Sequence, residues 1–284
     1  MNTESELSAN ADPAVIARRF VCARLRAEAL PGYPGALPQS LDEAYARQSR
    51  AIALWPDHVA GWKVGKIPDA WLAQMGEERL VGPIFAQHVQ AIAHDESADI
   101  AVIEGGFAAV EAEYVFVIGR DAPPDRLQWD ADEAAEYVAE LRLGIEFAGS
   151  PLATINELGP AVVVSDFGNN AGLLLGPSVP DWRLRSWDSL HCDTYVAEQH
   201  VGAGGAAFLS GGPLAALAFA LGRNARRGRP LRAGDLVSTG ASTGIHDIRI
   251  GQTARVVFAG GVVLHCRAVR ALPRPCTPVG EPPC

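Results

Sequence analysis

The chain has 284 residues, of which 48% are hydrophobic and 20% charged, so it can form a sizeable core and is not a disordered protein. A net charge of −9 excludes a general nucleic-acid-binding protein, which needs a basic face. The length suits one large domain, or one domain with a helical addition.

The first part of the chain is predicted to be mainly helical. Asp12 followed by Pro13 is typical of a helix start, and helical spacing of apolar residues follows. Ser40 and Glu43 form a capping-box pattern before a second helix that is predicted to end near residue 54. VAGWKVGK then predicts a short strand, and DAWLAQMG predicts one or two helical turns.

From about residue 80, short strands separated by glycine, proline and aspartate are predicted. AAVEAEYVFVIG is the clearest strand, and a helix over 131–144 precedes a strand in GIEFAGS. AVVVSDFGNNAGLLLGP predicts two short strands, and DTYVAEQHVGAGGAAFL predicts a strand pair. An amphipathic helix over 213–228, a strand in GDLVSTG and a hairpin turning at Gly260 and Gly261 complete the prediction.

These elements divide the chain into a helical N-terminal region over 1–80, a β-rich domain over 81–272 and an irregular, proline-rich tail over 273–284. The N-terminus is acidic and polar, unlike a signal peptide, and no apolar run approaches the ~20 residues of a membrane span. Five scattered cysteines lack a zinc-binding spacing and indicate reduced thiols. We therefore expect a cytoplasmic protein with neither a nucleic-acid nor a membrane partner.

Lysine is rare in this chain. Its 24 cationic residues include only two lysines, Lys63 and Lys66, and both lie in GWKVGK. Arginine keeps its proton in proteins, whereas a buried lysine can titrate. The pattern suggests that one of these positions requires an amine that can release a proton, and codon bias is the alternative explanation.

Two glutamates, Glu111 and Glu113, stand at the start of the apolar strand VEAEYVFVIG. Side chains two residues apart point to the same side of a strand, so these carboxylates are expected within ~7 Å of each other. The apolar run that follows is typical of a strand buried on both faces. Buried like charges need a partner, and hard carboxylate oxygens suit a divalent cation such as Mg²⁺, Mn²⁺ or Ca²⁺ rather than zinc. A solvated strand end is the alternative.

A third glutamate, Glu146, interrupts another apolar stretch, LGIEFAG. Three carboxylates leave about three positions of an octahedral cation open for water and substrate, as is common in catalytic magnesium sites. The three glutamates are therefore candidate ligands of a divalent metal, Mg²⁺ or Mn²⁺.

Five segments carry a resemblance to a known family, and together they cover most of residues 10–270. They are GWKVG, VEAEYVFVIG, LGIEFAGS, NNAGLLLG and PLAALAFALGRNARRGRPLRAGDLVSTG. Their order and spacing resemble the fumarylacetoacetate hydrolase superfamily, and within it the hydratase/decarboxylase branch that includes 2-keto-4-pentenoate hydratase. The resemblance implies an α+β fold, namely a fumarylacetoacetase-like mixed β-roll or sandwich with a helical N-terminal region. It also implies a homo-oligomer.

The resemblance assigns roles to individual residues of this chain. The implied metal ligands are Glu111, Glu113 and Glu146. The implied active-site lysine is Lys63, expected to have a lowered pKa near the cation, and Lys66 is then a bystander at a solvated strand end. The implied binding segment for a substrate carboxylate is Ser238, Thr239 and Gly240.

The chain departs from the hydratase branch at three places. Where relatives often carry acidic residues, VGPIFAQHV places His88, which is a candidate substitute base or else a surface histidine. His246 and Asp247 form a candidate base and its orienting acid, or lie in an ordinary loop. Asn169 and Asn170 stand where an Asp-Asn pair is more usual, and Asn170 is expected to contact the substrate.

The implied substrate is a small 2-oxo acid or its dienol, such as 2-hydroxypenta-2,4-dienoate. Water addition would give a 4-hydroxy-2-oxo acid in the catabolism of aromatic compounds. Decarboxylation of a substrate with a distal carboxylate, or C–C hydrolysis of an acylpyruvate, is open as an alternative. A non-catalytic scaffold protein is a further alternative, which the altered FAQH segment favours and the three retained glutamates oppose.

Overall fold

The computed structural model describes residues 12–274, in which α-helices and two β-sheets enclose a large apolar core and a second, smaller apolar cluster. The helices are α1 Pro13–Arg26, α2 Leu41–Leu54, α3 Leu72–Met75, α4 Ala131–Ala135, α5 Pro160–Ser165 and α6 Gly212–Arg226. The first seven strands are β1 Val59–Lys66, β2 Arg79–Phe85, β3 Val89–Ala91, β4 Ser97–Val102, β5 Phe107–Ile118, β6 Val138–Ser150 and β7 Asn170–Ser178. The others are β8 His191–Val196, β9 Gln199–Gly205, β10 Leu236–Ser238, β11 His246–Asp247, β12 Thr253–Phe258 and β13 Val262–Arg270.

Both sheets are mixed. The larger sheet has the strand order β2-β1-β10-β5-β6-β7-β3, and β11 pairs with β5 in addition. The smaller sheet has the order β4-β13-β12-β8-β9. Strands β1 and β10, β3 and β7, and β4 and β13 run parallel, and the other neighbours run antiparallel. This arrangement confirms the predicted α+β fold class.

Strand β1 ties the N-terminal part of the chain into the larger sheet. It lies between β2 and β10, and Gly65 of β1 pairs with Leu80 of β2. Residue 80 therefore lies inside a strand pair of the larger sheet, and the division of the chain near this residue stays a prediction. Of the proline-rich tail expected over 273–284, residues 275–284 lie outside the described residues.

Two predicted elements are wrong. The helix expected over 131–144 is only the five-residue α4, and the chain enters β6 at residue 138. In ELRLGIEF, apolar residues alternate with polar residues or glycine, which is the period of a strand. The first of the two strands expected in AVVVSDFGNNAGLLLGP is helix α5, which begins at Pro160 directly after Gly159.

The other predicted elements lie where they were expected. Helix α2 begins as predicted with the Ser40 hydroxyl accepting a hydrogen bond from the Glu43 backbone N–H. The Glu43 carboxylate accepts from Gln39 N–H at 3.0 Å, whereas a capping box would have it accept from Ser40. Strand β5 is buried along most of its length, which confirms the predicted strand with two covered faces.

The cysteines follow the expectation of reduced thiols only in part. Cys192 and Cys266 are free and buried, but Cys22 is disulfide-bonded. Among the described residues, no helix is long and apolar enough to cross a membrane.

Candidate metal and active site

The register of β5 and β6 brings the three glutamates together. Glu111 pairs directly with Glu146, and Glu113 lies two residues along β5, opposite Gly144. Because alternate residues share a face of a sheet, all three carboxylates project from the same side. One oxygen of each lies within 4.8 Å of those of the other two, and the side chains are 0–3% exposed.

These carboxyl groups have unsatisfied oxygen acceptors. One oxygen each of Glu111, Glu113 and Glu146 is buried without a hydrogen-bond partner among the described residues. Burial raises the pKa of Glu111 to about 7, although Lys63 lowers it, and raises the pKa of Glu113 well above its ordinary value with Glu146 adding to the effect. Three carboxylate oxygens that lie this close together are suitable ligands for a divalent cation, so the residues present fit the implied metal.

Lys63 is the cation that the chain itself places beside this cluster. Its buried Nζ lies 3.3 Å from Glu146 Oε1 and donates a hydrogen bond of 3.2 Å to Asn169 Oδ1. Burial lowers the pKa of Lys63, but the carboxylates of Glu146, Glu111 and Glu113 raise it more, and the net pKa lies above the ordinary value. The expected lowering of the pKa is thus absent without a bound cation, because the three glutamates hold the ammonium form.

A sharp turn before β7 brings Asn169 to Lys63. Phe167, Gly168 and Asn169 all have positive φ, between 55° and 65°, a conformation that costs ordinary residues of order 1–3 kcal/mol each. The turn passes so close to β2 that a Cβ on Gly82 would lie 2.1 Å from the Phe167 carbonyl oxygen. Gly82 pairs with Lys63 in the sheet, so this glycine allows Asn169 to approach the lysine.

Asn170 contacts the cluster rather than open space. Its Nδ2 donates a hydrogen bond of 3.1 Å to Glu146 Oε1, the oxygen that also lies beside Lys63 Nζ. Asn170 is buried, and of the two asparagines only Asn169 lines the adjoining cavity. Asn170 therefore fixes the orientation of Glu146, and Asn169 is the member of this pair that faces the cavity.

The segment Ser238–Gly240 lies beside the glutamate cluster, and most of its hydrogen-bond donors already have acceptors within the chain. Thr239 Oγ1 donates to the Tyr114 carbonyl at 2.7 Å, and Gly240 N–H donates to Glu113 Oε2 at 2.8 Å. The Ser238 hydroxyl is buried without a partner. Thr239 and Gly240 line the cavity, so this segment both fixes Glu113 and forms part of the wall.

His88 lies away from the glutamates. It lines a second cavity with Arg24 and Arg274, packs against the Trp55 ring and accepts a hydrogen bond from Arg274. Burial and then the charges of Arg274 and Arg24 lower its pKa to about 4. The structure does not bring His88 to Lys63 or the carboxylates, so we assign it no part in the chemistry.

His246 and Asp247 point to opposite faces of the short strand β11. His246 Nε2 lies 3.1 Å from the Thr243 hydroxyl, whereas Asp247 lines the cavity of Lys63. Successive residues of a strand face opposite sides, so Asp247 does not orient His246 as the sequence suggested. Asp247 is the member of this pair that faces the cavity.

One cavity of about 540 Å³ adjoins the cluster, and its lining includes Lys63, Glu111, Asn169, Thr239 and Gly240. The amine of Lys63, the carboxylate of Glu111 and the amide of Asn169 therefore line the same cavity. This combination suits proton transfer and the stabilisation of a developing oxyanion.

Sequence reasoning missed a buried ion pair that holds this site in place. Arg24 of α1 donates to both carboxylate oxygens of Asp166 at 2.6 and 2.9 Å, and to the backbone carbonyls of Gly149 and Asn170 at 2.8 and 3.1 Å. Ser150 Oγ donates to the same carboxylate at 2.6 Å. Arg24 and Asp166 are 142 residues apart in the chain, and no local pattern distinguishes Arg24 from the other arginines.

We expect Arg24→Lys to lower the free energy of unfolding by about 3 kcal/mol, because an ammonium cannot replace the two-pronged guanidinium and leaves the buried Asp166 under-bonded. Urea unfolding monitored by circular dichroism measures this. Arg18→Lys, an exposed position on the same helix, is the matched control and should change stability by less than about 0.5 kcal/mol. Equal effects of the two substitutions would show that the Asp166 pair does not stabilise the fold.

Known proteins resemble this chain in sequence and in fold. A TodF product hydratase from Pseudomonas putida is 31% identical over 234 residues, which cover 78% of this chain and 81% of that protein. A 2-keto-4-pentenoate hydratase from Dechloromonas aromatica is 29% identical over 77% of this chain and 82% of its own length. The similarity to these hydratases indicates an enzyme of the hydro-lyase type.

A solved structure of 4-oxalocrotonate decarboxylase from Pseudomonas putida, complexed with magnesium and adipate, superposes with a TM-score of 0.74 at 19% identity, covering 94% of this chain and 98% of that one. At this identity the likeness concerns the fold alone. The family model described as fumarylacetoacetate (FAA) hydrolase, C-terminal, matches residues 56–271. The chain belongs to the fumarylacetoacetate hydrolase family.

Proposed function

We propose that this protein is a metal-dependent hydratase that adds water to a 2-hydroxy-2,4-dienoate and gives a 4-hydroxy-2-oxo acid. The observation that carries the proposal is the cluster of three buried glutamates, each with an unpartnered oxygen, beside Lys63 in one cavity. The two hydratases that resemble this chain support water addition, and aromatic-compound catabolism as its setting.

Glu111, Glu113 and Glu146 would hold the divalent cation, Mg²⁺ or Mn²⁺. When bound, the cation supplies positive charge next to the substrate's carboxylate and 2-oxygen, where negative charge develops. Asn170 and Gly240 N–H fix two of the ligands by their hydrogen bonds to Glu146 and Glu113. The site is therefore preorganised by the chain itself.

Lys63 is assigned the proton transfer. In the overall reaction the 2-hydroxyl loses its proton as the 2-oxo group forms, C5 gains a proton, and water adds its hydroxyl to C4 and its proton to C3. Lys63 Nζ, held by Asn169 and Glu146, delivers the proton to C5 and takes up the proton of the 2-hydroxyl. The cavity would hold the substrate next to the Lys63 amine.

The test is an ultraviolet assay with freshly generated 2-hydroxypenta-2,4-dienoate in Mg²⁺, Mn²⁺ or EDTA. We expect metal-dependent loss of the dienol absorbance with 4-hydroxy-2-oxopentanoate as the product. Release of carbon dioxide from a dicarboxylate, or cleavage of an acylpyruvate, with no hydration of any dienol would instead identify the decarboxylase or hydrolase alternative. The homo-oligomer and the cytoplasmic location predicted from the sequence belong to the same proposal, and light scattering of the purified protein tests the oligomer.

A further inference from the structure

The cavity beside Lys63 is divided into a polar floor and an apolar mouth. The floor residues are almost fully buried: Lys63, Glu111, Asn169 and Thr239. The apolar mouth residues are partly or largely exposed: Trp71, Leu72, Phe208, Leu209 and Ile245. Charged side chains line the same end of the cavity, namely Lys66, Asp69, Glu78, Arg79 and Asp247. A substrate with its 2-oxo acid at the floor therefore directs its other end along apolar side chains.

The cavity is much larger than the shortest substrate requires. Pockets of about 300–1,000 Å³ accommodate drug-sized ligands, whereas 2-hydroxypenta-2,4-dienoate has only about eight non-hydrogen atoms. Against a volume of about 540 Å³, such a molecule occupies the floor and leaves the mouth to water. Phe208 is 77% exposed and Ile245 50% exposed, so the described residues leave half or more of each of these apolar side chains uncovered.

The mouth offers no free cation to a distal carboxylate among the described residues. The Lys66 ammonium lies 3.1 Å from Asp69, and Arg79 lies 3.6 Å from Glu78 while donating a hydrogen bond to the Ser210 carbonyl. Asp247 adds a further carboxylate to the lining. A second negative charge on the substrate would therefore meet cations that already have a carboxylate partner, and the further carboxylate of Asp247.

Resting on the hydratase function proposed above, we infer that the preferred substrate carries an apolar alkyl or aryl group at the end remote from its 2-oxo acid, and that a carboxylate there is disfavoured. The apolar mouth is the specificity determinant for this group. One methylene more or less in an apolar pocket changes the preference between two substrates about tenfold or more. The mouth residues therefore determine which substrate is preferred, whereas the glutamates and Lys63 at the floor carry out the chemistry.

Binding tests this inference independently of turnover. Titration calorimetry in Mg²⁺ compares 2-oxohexanoate with 2-oxoadipate, which share a six-carbon chain but end in a methyl group and a carboxylate. We expect at least about tenfold tighter binding of 2-oxohexanoate. Equal or tighter binding of 2-oxoadipate overturns the inference, whereas failure of every dienol to react overturns only the proposed hydration.

Two variants test the residues involved. Phe208→Ala should reduce the preference for 2-oxohexanoate about threefold or more, whereas Leu184→Ala, exposed and outside the cavity, should leave it unchanged. The double variant Asp69→Asn and Glu78→Gln frees both cations and should improve 2-oxoadipate binding several-fold relative to 2-oxohexanoate. Asp125→Asn with Glu140→Gln, both exposed elsewhere, is its matched control. An unchanged ratio in both test variants would show that the mouth does not set the preference.

Discussion

Replacing Glu113 with glutamine is expected to abolish metal-dependent turnover while making the metal-free protein more stable. Glu113 is fully buried, its pKa is raised by burial and by Glu146 and Glu111, and one of its oxygens lacks a partner. Glutamine keeps an acceptor for Gly240 N–H and removes one of three crowded carboxylates. We expect turnover to fall on the order of 10²–10³-fold.

Stability is the sharper measurement, because loss of activity alone also follows from misfolding. In EDTA, urea unfolding of the Glu113→Gln variant should give a free energy about 1–3 kcal/mol higher than the parent. Addition of Mg²⁺ should stabilise the parent, by about 2.7 kcal/mol at a hundredfold excess over its dissociation constant, but not the variant. Glu113 is preferred to Glu146 for this test because Glu146 also partners Lys63 and Asn170.

The matched control is Glu140→Gln, the same substitution at an exposed position of β6. It should leave both turnover and the Mg²⁺ response unchanged. If Glu113→Gln were less stable than the parent in EDTA, the three carboxylates would stabilise the fold by themselves, and the argument that the cluster exists for a cation would be wrong.

The part of the site that the sequence predicts is the part set by local geometry. Glu111 and Glu113 share a face because they are two residues apart on one strand, and this needs no tertiary information. Glu146 lies 35 residues further along, and its position opposite Glu111 depends on the β5–β6 register. Glu146 was identified as a candidate ligand because it is a charged residue within an apolar stretch, and the family resemblance assigned its role.

Most of what the sequence does not predict depends on contacts between distant segments. The helix predicted over 131–144 is the exception, since the local alternation of apolar residues beginning near Leu141 already favours strand β6. The placement of His88 in a second cavity follows from its contact with Arg274, which lies 186 residues further along the chain. The Arg24–Asp166 pair likewise joins α1 to the turn before β7, and only the folded chain shows it.

Lys63→Arg is expected to separate the charge of this residue from its ability to transfer a proton. An arginine keeps a cation beside Glu146 and has the adjoining cavity for its larger head, but it does not release a proton at ordinary pH. We expect kcat to fall on the order of 10²–10⁴-fold, while the free energy of unfolding in EDTA stays within about 2 kcal/mol of the parent.

Lys63→Met removes the positive charge as well as the titratable amine, so we expect it to change the stability in EDTA, unlike Lys63→Arg. Three buried carboxylates would then face one another without the chain's own cation, which we expect to cost about 3–5 kcal/mol of stability. Lys66→Arg, at the exposed end of the same strand, is the matched control and should keep kcat within about twofold. Near-parental kcat in Lys63→Arg would mean that this position requires only a positive charge, and the scarcity of lysine in the chain would then carry no functional meaning.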